Sequence, residues 1–339
     1  MQRVAVVGYG FMGQMHCNAY AALPNAELAV VVDPVTEKQE KAKADHGVAT
    51  VSQLESVLDD PSIALIDICL PTYMHKEATV AALAAGKHVL CEKPMALNPN
   101  EAQAMIDAAE RAEGFLMIAQ CLRFWPEYAA AKRIVDSGEL GRVKHVSCRR
   151  VSPRPTWSWE NWLQQPEKSG SALLDLHVHD IDFIVYLLGK PHRVTARGVN
   201  DPTTGWDHVF ATYEYDGAVA FAEGAWDYPP GFAFNMSFCI GLEGGAITYN
   251  VASSPTLTVA RAGTSEVEHP ELPKVQATSG ATTGNISDMG GYFLEIDYLV
   301  GCIERGERPT RVPLQETALD IQIAFAEVES ATRAVTVAL

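Results

Sequence analysis

The sequence predicts an α/β protein in which a doubly wound parallel sheet is followed by an α+β region with a mainly antiparallel, open sheet. Up to about residue 120, short apolar runs alternate with segments of helical periodicity, as in parallel sheets covered on both faces. A glycine-rich loop directly follows the first apolar run. Between about 192 and 264, strand-like stretches are joined by Asp-Gly and Gly-Gly turns, which favour antiparallel hairpins.

The first half contains five strand-like runs separated by helical segments. In order, RVAVVG precedes a helix over 14–23, LAVVVD one over 35–46, ALIDICLP one over 75–85 and KHVLCEKP one over 99–113, and FLMIAQ ends the series. Right-handed crossovers between such strands produce a doubly wound fold.

The second half begins with a helix over 126–137 and the strand GRVKHVSCRRV. A helix is predicted over 170–190, and two helices close the chain over 289–305 and 315–334. The segments 152–166 and 277–287 are rich in turn-forming residues and are expected to be loops.

Composition excludes several classes of partner. The chain of 339 residues has 47% hydrophobic and 20% charged residues, which is ordinary for a packed globular protein. Its 42 acidic residues outnumber 26 basic ones for a formal charge of −16, so nucleic acid and anionic membranes are poor partners. We expect neither a secretory signal nor a membrane span, because MQRVAVVGYG enters an apolar strand-like run at once and no apolar run reaches about 18 residues. Seven scattered cysteines suggest thiols in a reducing cytoplasm.

The stretch VAVVGYGFMGQMH places Gly8, Gly10 and Gly13 in G-x-G-x-x-G spacing between the first strand and the first helix. Such glycines permit a tight turn, close approach of the backbone to a pyrophosphate, and close packing of helix on strand. The helix N-terminus then offers free N–H groups to the anion. A tight turn without a ligand has the same spacing, so the context is needed to decide.

A carboxylate at the end of the second strand supplies that context. Asp33 lies twenty residues after Gly13, where an acidic residue binds the ribose hydroxyls. It would repel a 2′-phosphate, and no arginine follows at once, so NAD is favoured over NADP. Asp33 could also cap the next helix.

The run GSALLDLHVHDIDFIVYLLGK, residues 170–190, carries a second candidate constellation. In a helix, Asp175, His179, Asp182 and Tyr186 share one face, and His177 lies elsewhere. A histidine between carboxylates is held in one tautomer, and its imidazolium is stabilised when it accepts a proton, as alcohol oxidation requires. A salt-bridged core helix is the alternative. A metal site is a second alternative, because the chain has a His-x-His pair. Helical spacing separates the two rings, however, and we expect no metal.

The stretch VLCEKPMAL ends an apolar strand with Glu92, Lys93 and Pro94. Ligands of a doubly wound sheet bind at the carboxyl ends of its strands. Lys93 could therefore bond a substrate hydroxyl and stabilise its alkoxide, and Glu92 could reach a cofactor ribose. A solvent-facing ion pair in a connecting loop is the alternative.

Three stretches together, VAVVGYGFMGQMH, DICLPTYMHKEATVAALAAGKHVLCEKPMA and GSALLDLHVHDID, resemble the glucose–fructose oxidoreductase/inositol dehydrogenase (Gfo/Idh/MocA) family. The resemblance is strong to about residue 190 and weaker beyond it. It implies an NAD-binding Rossmann domain over 1–122 and a substrate-binding α/β domain over 123–339. The open sheet of that second domain is expected to form a homodimer or homotetramer.

The resemblance also implies roles for residues. Lys93 would be the active-site lysine, before a Pro94 whose peptide bond is often cis, and His179 would be the acid/base with Asp175 beside it. The expected cofactor-binding residues are Gly8, Gly10, Phe11, Met12, Gly13, Asp33, Pro71, Thr72, His75, Glu92 and Lys93. The expected substrate-binding residues are Lys93, Arg123, Trp157, Trp159, Asp175 and His179.

Two departures leave the substrate open. His177 stands where many relatives have glycine in D-x-G-x-H, and Cys121-Leu122 stands where many have Asn-Arg.

The loop SPRPTWSWENW offers tryptophans that could stack on a sugar ring or pack on their own domain. Polar candidates for substrate contacts lie in the same loop and on later strands, namely Arg154, Glu160, Asn161, Tyr228 and Asn235.

These features predict a cytoplasmic NAD-dependent dehydrogenase that acts on a secondary alcohol of a cyclic polyol, sugar or sugar derivative. A redox-neutral glycoside-cleaving enzyme with tightly bound, recycled NAD is the first alternative. A non-catalytic NAD(H)-binding sensor is the second, although a sensor has no use for Lys93, Asp175 and His179 together. A zinc hydrolase ranks last.

Overall fold

The computed structural model describes residues 1–273 and 290–339 and divides into two compact units. Residues Met1–Phe124 and 290–318 form the first unit, and Trp125–Pro273 with Leu319–Leu339 form the second. The predicted loop 277–287 lies outside the described residues.

The first unit contains a six-stranded sheet in the order β3-β2-β1-β4-β5-β6, with every neighbouring pair parallel. Its strands are β1 Gln2–Val7, β2 Ala26–Val32, β3 Ala49–Val51, β4 Leu65–Ile68, β5 His88–Glu92 and β6 Leu116–Ala119. This is the predicted doubly wound fold. The sequence had not indicated the short strand β3.

The register brings the strand ends together. Val7 pairs with both Val32 and Ile68, and Ile68 pairs with Cys91. The loops that follow β1, β2, β4 and β5 therefore emerge at one edge of the sheet, where ligands of doubly wound folds bind.

Helices of the first unit cover both faces of the sheet. They are α1 Phe11–Ala22, α2 Thr36–His46, α3 Glu55–Leu58, α4 His75–Ala84, α5 Pro99–Arg111 and, much later in the chain, α9 Gly290–Arg305. The predicted domain 123–339 included α9. In the structure its apolar side buries Ile296, Leu299 and Val300 in one core with Tyr20 and Phe124 of the first unit, which explains the different division.

The second unit is built on a nine-stranded sheet in the order β14-β13-β12-β11-β7-β10-β9-β8-β15. Within this sheet, β7 and β10 are the only pair of described strands that runs parallel. The strands are β7 Val143–Pro153, β8 Arg193–Asp201, β9 Gly205–Tyr215, β10 Ala218–Tyr228, β11 Asn235–Leu242, β12 Gly245–Asn250, β13 Leu257–Arg261, β14 Val267–Glu268 and β15 Val337–Ala338. The predicted mainly antiparallel sheet is confirmed.

Helices of the second unit are α6 Pro126–Ser137, α7 Pro166–Ser169, α8 Val178–Leu188 and α10 Leu314–Arg333, the last of which begins in the first unit. The predicted helix over 170–190 is helical over most of its length, but it is not a continuous α-helix. Ser171 has a φ of 63°, residues Leu173–His177 form one turn of π-helix, and α8 begins only at Val178.

No helix in residues 1–273 or 290–339 is long and apolar enough to cross a bilayer.

Candidate active site

The three glycines of the first loop have different surroundings. At Gly8, where φ is +95°, a Cβ would lie 2.6 Å from Cys69 O, and at Gly13 it would lie 1.8 Å from Gly8 O. At Gly10 a Cβ would meet no described atom within 4 Å. Gly8 and Gly13 are thus required by the fold itself. Gly10 instead keeps the space above the N-terminus of α1 open, which fits the close approach of a pyrophosphate.

Asp33 holds this loop in place. Its Oδ2 accepts a hydrogen bond from Tyr9 N at 2.8 Å, and its Oδ1 accepts one from Val35 N at 2.9 Å. Lys38 Nζ lies 3.5 Å from Oδ2. Because each carboxylate oxygen can accept a second hydrogen bond, Asp33 can position the glycine loop and still accept hydrogen bonds from ribose hydroxyls.

Two further loops meet at the same edge of the sheet. One ring nitrogen of His75 lies 2.8 Å from Pro94 O and the other lies 2.9 Å from Leu70 O. His75 is buried, and burial lowers its pKa. His75 therefore ties the loop containing Pro71 and Thr72 to the turn at Lys93 and Pro94.

Lys93 lies at the carboxyl end of β5 and is half-buried. The Lys93-Pro94 peptide bond is cis, as the resemblance implies. Glu92 is 5% exposed, and its Oε2 accepts a hydrogen bond from Lys93 N at 3.0 Å. Glu92 thus points largely into the protein. Phe11 and Met12, in the first turn of α1, are half-buried.

A buried polar cluster behind this edge was not foreseen from the sequence. His16 Nδ1 lies 2.8 Å from Asp67 Oδ2, and His16 Nε2 lies 3.2 Å from Glu92 Oε1. Burial alone would lower the pKa of His16, but the Asp67 carboxylate and Cys69 raise it well above its ordinary value.

Glu295 of α9 completes the cluster. Its carboxylate is fully buried, and neither oxygen has a hydrogen-bond partner among the described residues. Burial, followed by the charge of Glu92, raises its pKa well above the ordinary value. Ligand atoms of His16, Glu92 and Glu295 lie within 4.8 Å of one another, a spacing that a divalent cation or a shared proton could bridge.

The second unit carries Asp175 and His179 on either side of the junction between the π-turn and α8. Both residues are half-buried, whereas Asp182 is fully buried. The prediction that Asp175, His179, Asp182 and Tyr186 share one face requires a continuous α-helix. The π-turn interrupts that helix. Lys93 belongs to the first unit, and Asp175 and His179 belong to the second.

The tryptophan loop has two exposed members. Trp157 is 62% and Trp159 is 40% exposed, whereas Trp162 packs beside Leu163 and Trp226. The backbone between them is strained, because Glu160 and Asn161 have φ values of 50° and 53°.

Three polar candidates make contacts within the second unit. Arg154 pairs with Asp207 at 2.6 Å. The Tyr228 ring stacks on Phe232 with centroids 4.1 Å apart, and Asn235 Nδ2 donates to Asn250 Oδ1 at 3.0 Å.

Arg123, expected to bind substrate, is 1% exposed. Its guanidinium donates to Glu316 Oε2 at 2.6 Å and to Arg311 O at 3.1 Å. Through these contacts, Arg123 holds the segment after α9 within the first unit. Cys121 and Leu122 before it are also buried.

Two family models cover most of the chain. Residues 2–120 match an oxidoreductase family with an NAD-binding Rossmann fold, and residues 128–248 match the GFO/IDH/MocA C-terminal domain. The chain belongs to the Gfo/Idh/MocA family. It is accordingly an NAD-dependent oxidoreductase, and its first unit is the NAD-binding Rossmann domain.

Relatives in this family include sugar and inositol dehydrogenases. Levoglucosan dehydrogenase of Pseudarthrobacter phenanthrenivorans is 32% identical over 207 residues, a match that spans 57% of this chain but only 53% of that enzyme. The NAD(+)-dependent scyllo-inositol 2-dehydrogenase of Bacillus subtilis is 26% identical over 97% of this chain and 93% of its own length. An Escherichia coli relative, 28% identical over 69% of this chain and 63% of its own length, is named 2,7-anhydro-N-acetylneuraminate hydratase.

The fold matches solved structures over nearly the whole chain. A levoglucosan dehydrogenase in complex with NADH and levoglucosan superimposes with a TM-score of 0.88 at 27% identity and covers 99% of each chain.

Proposed function

We propose that this protein is an NAD-dependent dehydrogenase that oxidises a secondary alcohol of a cyclic polyol, sugar or sugar derivative. The observation that carries the proposal is the half-buried Lys93 at the carboxyl end of β5, on the edge where the glycine loop and Asp33 receive the dinucleotide. The similarity to a levoglucosan dehydrogenase that binds NADH and levoglucosan supports the substrate class.

The first unit would hold NAD through the residues of the carboxyl edge, with Gly10 leaving room for the pyrophosphate and Asp33 binding the ribose. The full set is Gly8, Gly10, Phe11, Met12, Gly13, Asp33, Pro71, Thr72, His75, Glu92 and Lys93. Bound NAD would supply the acceptor for the hydride that leaves the substrate carbon. His75 and Glu92 would act chiefly by positioning neighbouring loops, because both are buried.

The second unit supplies the group that accepts the proton of the substrate hydroxyl. The imidazole of His179 removes the hydroxyl proton as general base, and the Asp175 carboxylate orients the substrate and stabilises the imidazolium. The Lys93 ammonium donates to the same oxygen and stabilises the developing alkoxide. In the reverse direction His179 returns the proton.

Trp157 and Trp159 would bind the apolar C–H face of the ring, because an exposed indole provides such a surface. Arg123 would not contact the substrate, because its guanidinium is buried in contacts with Glu316 and Arg311.

The outer face of the nine-stranded sheet supports a homodimer or homotetramer. Phe210, Phe221, Val219 and Val199 are each 40–56% exposed on β8 to β10, and an apolar sheet face of this kind marks an interaction surface. The seven cysteines are free thiols, which supports a reducing compartment such as the cytoplasm.

A second candidate is a redox-neutral reaction in which bound NAD is reduced and reoxidised within one turnover. The similarity to a relative named a hydratase favours it. Product formation without accumulated NADH would distinguish it from net oxidation.

The test uses matched variants. Lys93→Ala and His179→Ala should each reduce kcat at least ~100-fold, the usual contribution of a positioned acid, base or charged donor. His179→Ala should bind NAD normally, and Lys93→Ala should still bind NAD through the remaining residues of the set. Lys76→Ala and His192→Ala are the controls, since these residues pair only with Glu77 and Asp216 at the surface among the described residues. Full activity in either test variant would contradict the assignment.

A further inference from the structure

His177 stands where the family resemblance leads us to expect glycine, and the structure buries it completely. The space for its ring is provided by Gly224 on β10. A Cβ at position 224 would lie 2.5 Å from both Cβ and Nδ1 of His177. The sheet therefore omits a side chain where the additional imidazole lies.

The ring of His177 joins a buried polar network within the second unit. Its Nε2 lies 3.1 Å from Glu327 Oε2 and 3.3 Å from Tyr213 Oη. The Tyr213 hydroxyl donates to Glu327 Oε1 at 2.6 Å. All three side chains are at most 1% exposed. The network therefore links the π-turn to β9 and to α10 in a medium where polar contacts are strong.

Charges around the ring favour a stable connection to Glu327. Burial alone would lower the pKa of His177, but the Glu327 carboxylate raises it above the ordinary value. Asp180 of α8 and Arg150 of β7 face the same region, and they form their own buried ion pair at 3.0 Å. Glu327 is thus the carboxylate that directly holds His177.

In the sequence, His177 lies between Asp175 and His179, the two residues of the second unit that are proposed to act on the substrate. Asp175 precedes His177 by two residues within the π-turn, and His179 follows it by two residues at the start of α8. The chain enters this turn through left-handed conformations at Gly170 and Ser171, with φ of 71° and 63°. Such local geometry persists only where the surrounding structure determines it, and π-turns are frequent at functional sites.

We propose that His177, Glu327 and Tyr213 form a positioning network that fixes the π-turn and thereby the placement of Asp175 and His179 for proton transfer. The inference rests on the proposed function, in which Asp175 and His179 act on the substrate. His177 is a positioning residue because it reaches the reaction only through its neighbours.

The test compares Tyr213→Phe and Glu327→Gln with Ser330→Ala. Ser330 is also buried on α10, but its Oγ accepts from Ala196 N at 2.8 Å and donates to Val335 O instead of bonding a member of the network. Tyr213→Phe and Glu327→Gln should lower kcat at least tenfold while the Kd for NAD changes less than twofold. The control should lose thermal stability but keep kcat within twofold. Amide hydrogen exchange of residues 173–182 should rise in the two network variants and not in the control.

Each outcome decides between roles. If kcat and exchange in the network variants match those of Ser330→Ala, the network only stabilises the fold and the proposal is wrong. If Glu327→Gln does not fold, Tyr213→Phe, which loses one hydroxyl, decides alone. If the wild-type protein oxidises no polyol or sugar but exchange responds as expected, the anchoring of the π-turn stands and the proposed function fails.

Discussion

Replacing Gly10 by alanine separates the binding role of the glycine loop from its structural role. Gly10 has φ −81° and ψ −158°, a conformation that alanine adopts readily. Its Cβ would meet no described atom within 4 Å, so we expect folding stability to change by less than ~1 kcal/mol. The added methyl group would nevertheless occupy the space through which a pyrophosphate approaches the helix N-terminus.

The expected loss of affinity follows from the hydrogen bonds that the methyl group would prevent. A hydrogen bond to a charged group contributes about 1.5–3 kcal/mol, so the loss of two bonds to the pyrophosphate weakens binding by ~3–6 kcal/mol. Since each 1.4 kcal/mol is tenfold, the Kd for NAD should rise about 100- to 10,000-fold.

Calorimetric titration with NAD and thermal melting provide the two readouts. Gly231→Ala, where a Cβ also meets nothing within 4 Å, is the matched control and should leave both unchanged. Gly13→Ala should instead lower the melting temperature, because its Cβ would lie 1.8 Å from Gly8 O. A Kd within threefold of wild type for Gly10→Ala would refute the reasoning about the loop.

The remaining predictions concern charge, pH and the tryptophan loop. Asp33→Asn keeps an acceptor for Tyr9 N but removes the charge, so kcat/KM for NADP relative to NAD should rise about tenfold, or ~1.4 kcal/mol; an unchanged ratio would exclude Asp33 as the discriminating group. The pKa values of Glu295 and His16 are raised above their ordinary values of 4.5 and 6.5. Above about pH 4.5 for Glu295 and 6.5 for His16, the folded protein therefore binds more protons than the unfolded chain. The stability that these residues contribute is full below those values and is lost as pH rises through the raised pKa values. Glu295→Gln should fold, and its free energy of unfolding, measured with denaturant, should decline less steeply as pH rises. Metal that is bound by the wild-type protein but not by this variant would instead indicate a cation at the cluster. Trp157→Ala should raise KM about fivefold, or ~1 kcal/mol of lost stacking, without changing the melting temperature, and an unchanged KM would place the substrate elsewhere.

Local patterns account for what could be predicted from the sequence. Continuous apolar runs such as LAVVVD indicate buried parallel strands, and Asp216-Gly217 indicates a hairpin turn, because each depends on neighbouring residues alone. The glycine loop and Asp33 follow the same logic, since twenty residues of a βαβ unit determine their relation.

The remainder depends on tertiary contacts that no local pattern encodes. The π-turn before α8 has the apolar periodicity of a helix, so a one-residue change in hydrogen bonding is invisible in the sequence. Glu295 approaches His16 only because α9 returns to the first unit, and the burial of Arg123 depends on Glu316, far along the chain. A glutamate inside the apolar helix YFLEIDYLVGCI was the one available signal for Glu295.

The most direct measurement mixes the purified protein and NAD with each member of a panel of inositols, hexoses, uronates and amino sugars. It follows the formation of NADH by absorbance at 340 nm. A net dehydrogenase should produce NADH with a cyclic polyol or sugar, at a rate that Lys93→Ala and His179→Ala abolish. Conversion of a sugar with no accumulated NADH, or tight NAD binding with no turnover of any member of the panel, would contradict the account.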